Sequence, residues 1–245
     1  MPKSFSARMF VALIVISGLL LLGDAVLNAK SMPTAKFLAF LLVACVAARL
    51  KIKLPGLTGT MSVNLPFILV AAAEMNSAEA LAVGFISTFV QCLPKGKKLN
   101  LVQVAFNCGA ITLAVAAARF IFASSTVASA ISSPSLRLGV AAAGYALANT
   151  IPVAIVIGLT EGARILRTWW EMIQLSFPYL VASAGIAGVT LTLAQGTGWQ
   201  VPLAVLPIMV GIFQSYRRYF AATAASEAMN MRVQSSSHAA AGANA

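Results

Sequence analysis

The sequence predicts an all-α protein: a polytopic membrane helix bundle of six to eight transmembrane segments with both termini cytoplasmic. Three observations predict it. Apolar residues make up 60% of the 245 residues and charged residues 9%, against about 45–50% and about 25% in soluble domains. The apolar residues gather into eight runs, several of them near the roughly 20 residues that a helix needs to cross the hydrocarbon core. The bases behind the formal charge of +11 lie in short groups between those runs, as bases do at a membrane edge. They do not cluster on one soluble face, which argues against a nucleic-acid partner and makes the lipid bilayer the expected one.

Met9–Leu27 is the first run. With Lys3 and Arg8 before it, it imitates a secretory signal, but a cleavage site near Ala29 is weak and further apolar runs follow, so it reads as a retained helix. Thr34–Ala48 is short unless Leu50–Ile52 and Lys53 extend it with their basic side chains snorkelling. Pro55, Gly56 and Gly59 then break the chain. Met61–Met75 and Ser77–Leu93 are short and are joined only by Asn76, which fits a tight helical hairpin or a re-entrant pair. Irregular backbone at that depth is tolerated only when buried in protein. Eight crossings, or six plus a short hairpin, both remain open.

Pro94 and Gly96 turn the chain into Leu99–Ala123, and a Ser-rich stretch, 124–135, leads to Leu136–Thr160. Pro152 inside that run frees a backbone carbonyl and favours a kink. Met172–Ala194 and Trp199–Ser215 complete the set, parted by Gly196 and Gly198. Residues 1–220 thus form the bundle. Residues 221–245 read as a cytoplasmic helical extension followed by a disordered Ser/Ala/Gly-rich tail that holds the only histidine, His238.

Charge orients the bundle. With the N-terminus inside, thirteen bases fall on the cytoplasmic side, among them Arg8, Arg49, Lys51, Lys97, Arg164, Arg167 and Arg218. Three fall outside, Lys30, Lys36 and Arg137, and Arg119 sits near the outer end of the fifth run. That split follows the positive-inside rule. A re-entrant pair gives the same sides, so charge sets orientation without choosing between six and eight.

The chemical inventory points away from an enzyme. With its one histidine in the tail, the chain has no Ser-His-Asp or Cys-His set, no HExxH and no nucleotide-binding Gly-rich loop. Cys45, Cys92 and Cys108 lie within or at the end of apolar runs with no CxxC pair, and read as small buried hydrophobes. No cofactor or metal is expected.

Polar side chains within apolar runs remain: Asp24, Asn64, Glu74, Glu79, Gln91, Gln103, Asn107, Tyr145, Asn149 and Thr150. A polar group in lipid is costly and faces the bundle interior. For the amides the plain reading is hydrogen bonding between helices. The functional reading is a small-ligand pocket lined by Asn64, Asn107, Tyr145 and Asn149. Asn107 lies about 8 residues and Asn149 about 11 residues above the inner ends of their helices, which places them within one turn of each other in depth at about 1.5 Å per residue. Arg164, Arg167, Trp169 and Trp170 read as anchors at the membrane interface. Small-residue runs, 114–118 and 182–188, read as close-packing surfaces.

Three stretches resemble the multi-helix N-terminal membrane region of bacterial signalling proteins whose soluble part is an HD-GYP or GGDEF domain. The first is TMSVNLPFILVAAAEMNSAEALAVGFISTFV, residues 60–90. The second is VAFNCGAITLAVAAA, 104–118, with its Phe106-Asn107 pair. The third runs from LANTIPVAIVIGLTEG through the basic, Trp-rich turn RILRTWWEM and SFPYLVASAGIAG to SYRRYF, 147–220. A weaker likeness in organisation is to the substrate-binding membrane subunits of energy-coupling vitamin transporters. The resemblance implies a sensory or ligand-binding module in the bacterial inner (plasma) membrane, here without an output domain and without catalysis of its own. Its exit helix then signals to a separate cytoplasmic protein. The alternatives are a small-solute transporter, or substrate-binding subunit of one, and a structural subunit of a membrane complex.

Overall fold

The computed structural model describes residues 5–29, 35–53, 60–94, 99–198, 200–211 and 213–215, with 218, 219, 222 and 226. Helices α1 (Phe5–Leu27) and α2 (Ala35–Arg49) come first. An antiparallel ribbon follows, β1 (Lys51–Lys53) against β2 (Thr60–Ser62), with Ile52 opposite Met61. Then come α3 (Leu65–Glu74), α4 (Ser77–Cys92), α5 (Leu101–Ala123), the short α6 (Ser125–Ala130), α7 (Pro134–Glu161) and α8 (Ile165–Thr197). A 3-10 turn, Val201–Ala204, leads into α9 (Val205–Ser215). Among the described residues four helices, α1, α5, α7 and α8, are long and apolar enough to cross a membrane, which makes this a helical, multi-pass membrane protein by length and composition.

The third and fourth runs form a short hairpin. At about 1.5 Å per residue α3 is about 15 Å long and α4 about 24 Å, against a hydrocarbon core of about 30 Å. The hairpin turns at Met75 and Asn76, where the Asn76 side chain accepts from the Glu79 N–H (2.9 Å) and Glu79 accepts from the Asn76 N–H (3.3 Å). This reciprocal cap starts α4. Every residue from Leu65 to Ala72 is buried, because α3 sits in the core formed with α2, α4, α5, α7, α8 and α9. A helix that is apolar all round belongs in such a place.

Glycines set the closest approaches around this centre. A Cβ on Gly18 of α1 would lie 2.6 Å from the Gly109 Cα of α5, and one on Gly109 would lie 2.8 Å from the Ile14 carbonyl oxygen. Val11 and Ile14 pack with Phe106 and Ala110 in the same seam, so α1 and α5 run parallel. Gly144 of α7 meets Ile121 of α5, and Gly188 of α8 meets Ser135 of α7; together with the contacts further along, both pairs are antiparallel.

Three boundaries depart from the sequence expectation. Residues 51–53 do not extend α2; they leave the helix after Arg49 and pair as β1. The Ser-rich stretch 124–135 holds α6. Helix α8 starts at Ile165 rather than Met172, so the basic, Trp-rich stretch is helical. It contains no Gly or Pro, and the reversal is confined to 162–164, where Gly162 ends α7 with φ 71°. The expectations for 54–59, for 95–98 and for most of 221–245, His238 included, fall outside the described residues.

The glycine seam makes a prediction. Gly109→Val should lower the thermal stability of the detergent-solubilised protein by about 1–3 kcal/mol, the usual cost of overpacking. Gly23→Ala, where a Cβ meets nothing within 4 Å, should leave it unchanged. Melting curves of the two variants beside the wild type check this.

Candidate functional site

Strand β2 ends at Ser62 and α3 begins at Leu65, so the chain turns at Val63 and Asn64 inside the bundle. Ser62, Val63, Asn64 and Leu65 are all buried. Buried backbone groups must find partners, and a tyrosine from α8 supplies them. The Tyr179 hydroxyl donates to the Ser62 carbonyl (2.9 Å) and accepts from the Leu65 N–H (3.2 Å). Pro66 has no N–H to satisfy, and the Ile68 N–H reaches the Asn64 carbonyl (3.2 Å).

Side chains extend this junction to α4. The Ser62 hydroxyl donates to Asn64 Oδ1 (2.7 Å), Asn64 Nδ2 donates to Ser87 Oγ (3.2 Å), and Ser87 donates to the Gly84 carbonyl (3.2 Å). Ser62 Oγ also lies 3.0 Å from Gln91 Oε1. One hydroxyl hydrogen cannot serve two acceptors; turning the Gln91 amide over puts its NH2 on Ser62 and closes the network. Asn64 is therefore held on both sides of its amide.

Arginines hold the hairpin at both ends. Arg49 of α2 donates to the Val90 and Leu93 carbonyls (3.1 and 3.2 Å), covering carbonyls at the C-terminus of α4 and placing a cation at the negative end of its dipole. At the hairpin turn, Arg119 of α5 donates to Ser77 Oγ (2.9 Å) and the Ala72 carbonyl (3.0 Å). Beside it Lys36 of α2 pairs with Glu74 at 2.6 Å.

The four residues expected to line a pocket are not joined by any hydrogen bond to one another among the described residues. Asn64 belongs to the junction. Asn107 is half-buried and donates to Cys92 Sγ at 3.5 Å. Tyr145 is buried within the core around α3. Asn149 is half-buried on α7. Where Gly144 meets Ile121, an antiparallel register carries Asn149 to the level of about residue 116, roughly 13 Å along the axis from Asn107 at about 1.5 Å per residue. The expected agreement in depth therefore does not hold, because counting from sequence ends ignores how far α7 extends beyond α5.

Two concavities stand out. One, between α3, α8 and the start of α9, admits no water-sized sphere. The other, about 480 Å³, is an open groove on α7 and α8 lined by residues such as Gly139, Gly185 and Thr192. None of the four residues lines either.

The four expected anchors share the start of α8. Arg164 and Arg167 are exposed, and Arg167 pairs with Glu171 at 2.9 Å. Trp170 is exposed, whereas Trp169 turns inward and its indole N–H donates to Thr150 Oγ1 at 3.1 Å.

Tyr179 and the two hairpin arginines were not singled out by the sequence. The available signals were thin: Arg119 is the one base that the charge split left over, and Tyr179 is the single tyrosine of its apolar run, beside Pro178. No protein-family model, curated protein or solved structure matches the chain.

Removing the hydroxyl tests the junction. Tyr179→Phe strands the Ser62 carbonyl and the Leu65 N–H and should cost about 2 kcal/mol. Ser183, one turn further along α8, is fully buried with an unpartnered hydroxyl, so Ser183→Ala should be neutral or stabilising by up to about 1 kcal/mol. Thermal melts of the two variants should move in different directions or by clearly different amounts.

Proposed function

We propose that this chain is a non-catalytic sensory or ligand-binding module of the bacterial plasma membrane, with both termini in the cytoplasm. A ligand or a change in the bilayer repacks α8 against the α3–α4 hairpin, and the segment after α9 passes that change to a separate cytoplasmic protein. The observation that carries the reading is the Tyr179 contact. It joins α8, the helix leading toward α9, to a hairpin clamped by Arg49, Arg119 and Lys36. A shift between two packings needs one element held fast and another able to move relative to it.

Charge placement supports the orientation. The helix directions bring Arg8, Arg49, Lys51, Arg164 and Arg167 to one end of the bundle, and Lys36, Arg119 and Arg137 to the other. The more basic end is the cytoplasmic one in this reading.

A second reading, the substrate-binding subunit of a solute transporter, draws on one observation: α3 is a half-length helix enclosed by longer ones, an arrangement that transporters use at binding sites. Uptake into vesicles that is abolished by replacing Asn64 and Asn107 with Ala would favour it.

The test of the first reading compares the full chain with one ending at Phe220. After cross-linking in cells and gentle extraction, the full chain should carry a cytoplasmic signalling protein that the shortened chain lacks, while both melt alike. Recovery of the same proteins by both chains contradicts signalling through the exit segment.

A further inference from the structure

The packing of α7 and α8 changes abruptly along their length. From Val153 to Pro178, Ala154 is the one buried residue. Beyond it on α8, Tyr179, Ser183, Ala187, Gly188, Thr190 and Leu191 are all buried. A lipid-facing helix seated on a bundle still buries a stripe every three or four residues. The first fourteen residues of α8 bury none, and keep only a half-buried stripe through Thr168, Trp169, Met172, Ile173 and Ser176.

A proline stands at each limit of this stretch, Pro152 in α7 and Pro178 in α8. Each lacks an N–H, so the carbonyls of Ala148 and Gln174 lose their helical donors and the two helices are weakest in bending there. Between the prolines the two arms hold to each other. Gly158 stands directly against the Ile165 side chain, and the Gly162 turn is tight, with its N–H on the Gly158 carbonyl at 3.0 Å. The residue immediately after the second proline is Tyr179, whose hydroxyl is bonded to the β2–α3 junction that opens the clamped hairpin.

We propose that residues 153–178 form a helical elbow that swings as one body on Pro152 and Pro178, and that Tyr179 is the latch coupling its position to the α3–α4 hairpin. The elbow buries only Ala154 fully and touches the α1–α5 seam through the half-buried Val153 and Val156, next to its first hinge, so swinging its far end uncovers little apolar core. The Trp169–Thr150 bond (3.1 Å) is the side-chain contact that ties α8 to α7 beside the first hinge, and it would stretch or break as the elbow moves. This inference does not depend on whether the module signals or binds a solute.

The test uses the full chain with Cys45→Ala, Cys92→Ala and Cys108→Ala, in phosphatidylcholine nanodiscs. Spin labels at Leu101 and Leu166, both exposed, report the elbow against α5. Labels at Leu42 and Phe120, also exposed, give a reference between α2 and α5. Pulsed EPR should show two distances for the first pair and one for the reference. Tyr179→Phe should raise the minor population at least two-fold, and Pro178→Ala, which restores an N–H at an exposed position, should collapse the first pair to one distance. A single narrow distance unaltered by either substitution overturns the proposal, as does a reference pair that shifts with the first. If Tyr179→Phe fails to assemble, Pro178→Ala decides alone.

Discussion

Between β2 and α3 the backbone turns inside the bundle, where neither water nor lipid supplies a hydrogen-bond partner. An unpaired peptide group there costs as much as a lost hydrogen bond, so the turn can exist only where side chains meet it. Tyr179 arrives from a helix more than a hundred positions away in the chain and satisfies both a carbonyl and an N–H. Asn64, Ser87 and Gln91 complete the cage. The place of α3 at the centre follows from this. A helix too short to cross the bilayer can begin in the interior only because its first turn is satisfied by protein, and its apolar surface then draws the longer helices around it.

The clamps at either end of the hairpin extend the same logic. Arg49 covers the Leu93 carbonyl and shares the Val90 carbonyl with the Leu93 N–H at the end of α4, and Arg119 covers one that α3 leaves open. Both spend guanidinium donors on backbone, so their value lies in completing helices rather than in charge pairing. With Lys36–Glu74 beside Arg119, the hairpin is tied to α2 and α5 at the turn and to α2 at the other end. Among the described residues, the inner halves of α7 and α8 have no comparable polar ties to the rest of the bundle beyond Trp169–Thr150; there α7 rests on the α1–α5 seam through Val153 and Val156. The bundle therefore divides into a fastened centre and a loosely seated elbow, and the latch residue lies at their boundary.

Much of the architecture was legible from apolar run lengths. The brevity of Met61–Met75 and Ser77–Leu93 put a short hairpin beside eight full crossings as one of two readings, and the Asn76-x-x-Glu79 pattern is a readable cap. The start of α8 was misplaced because a base- and Trp-rich stretch looks like a turn, although nothing in it breaks a helix. The β ribbon was missed because three residues of alternating Lys and Ile carry too short a pattern to oppose an apolar run. The site was the least legible part. Asn64 could be picked as a buried amide, but its partners Ser62 and Ser87, and Tyr179 that bonds the backbone on either side of it, are common residues whose role depends on which helices meet. Asn107 and Asn149 were set at one depth by counting along separate helices, and only the register between α5 and α7 shows the offset.

The central claim is that the Asn64 turn lies against α4 within the bundle. Paired substitutions Asn64→Cys and Ser87→Cys in the full chain, with the three native cysteines replaced by Ala, test it most directly. A membrane-permeant oxidant should join them in native membranes as readily as it joins a Ser135→Cys and Thr192→Cys pair, whose native hydroxyls lie 3.0 Å apart. A control pair that cross-links while the Asn64–Ser87 pair does not would contradict the buried junction and, with it, the enclosed hairpin.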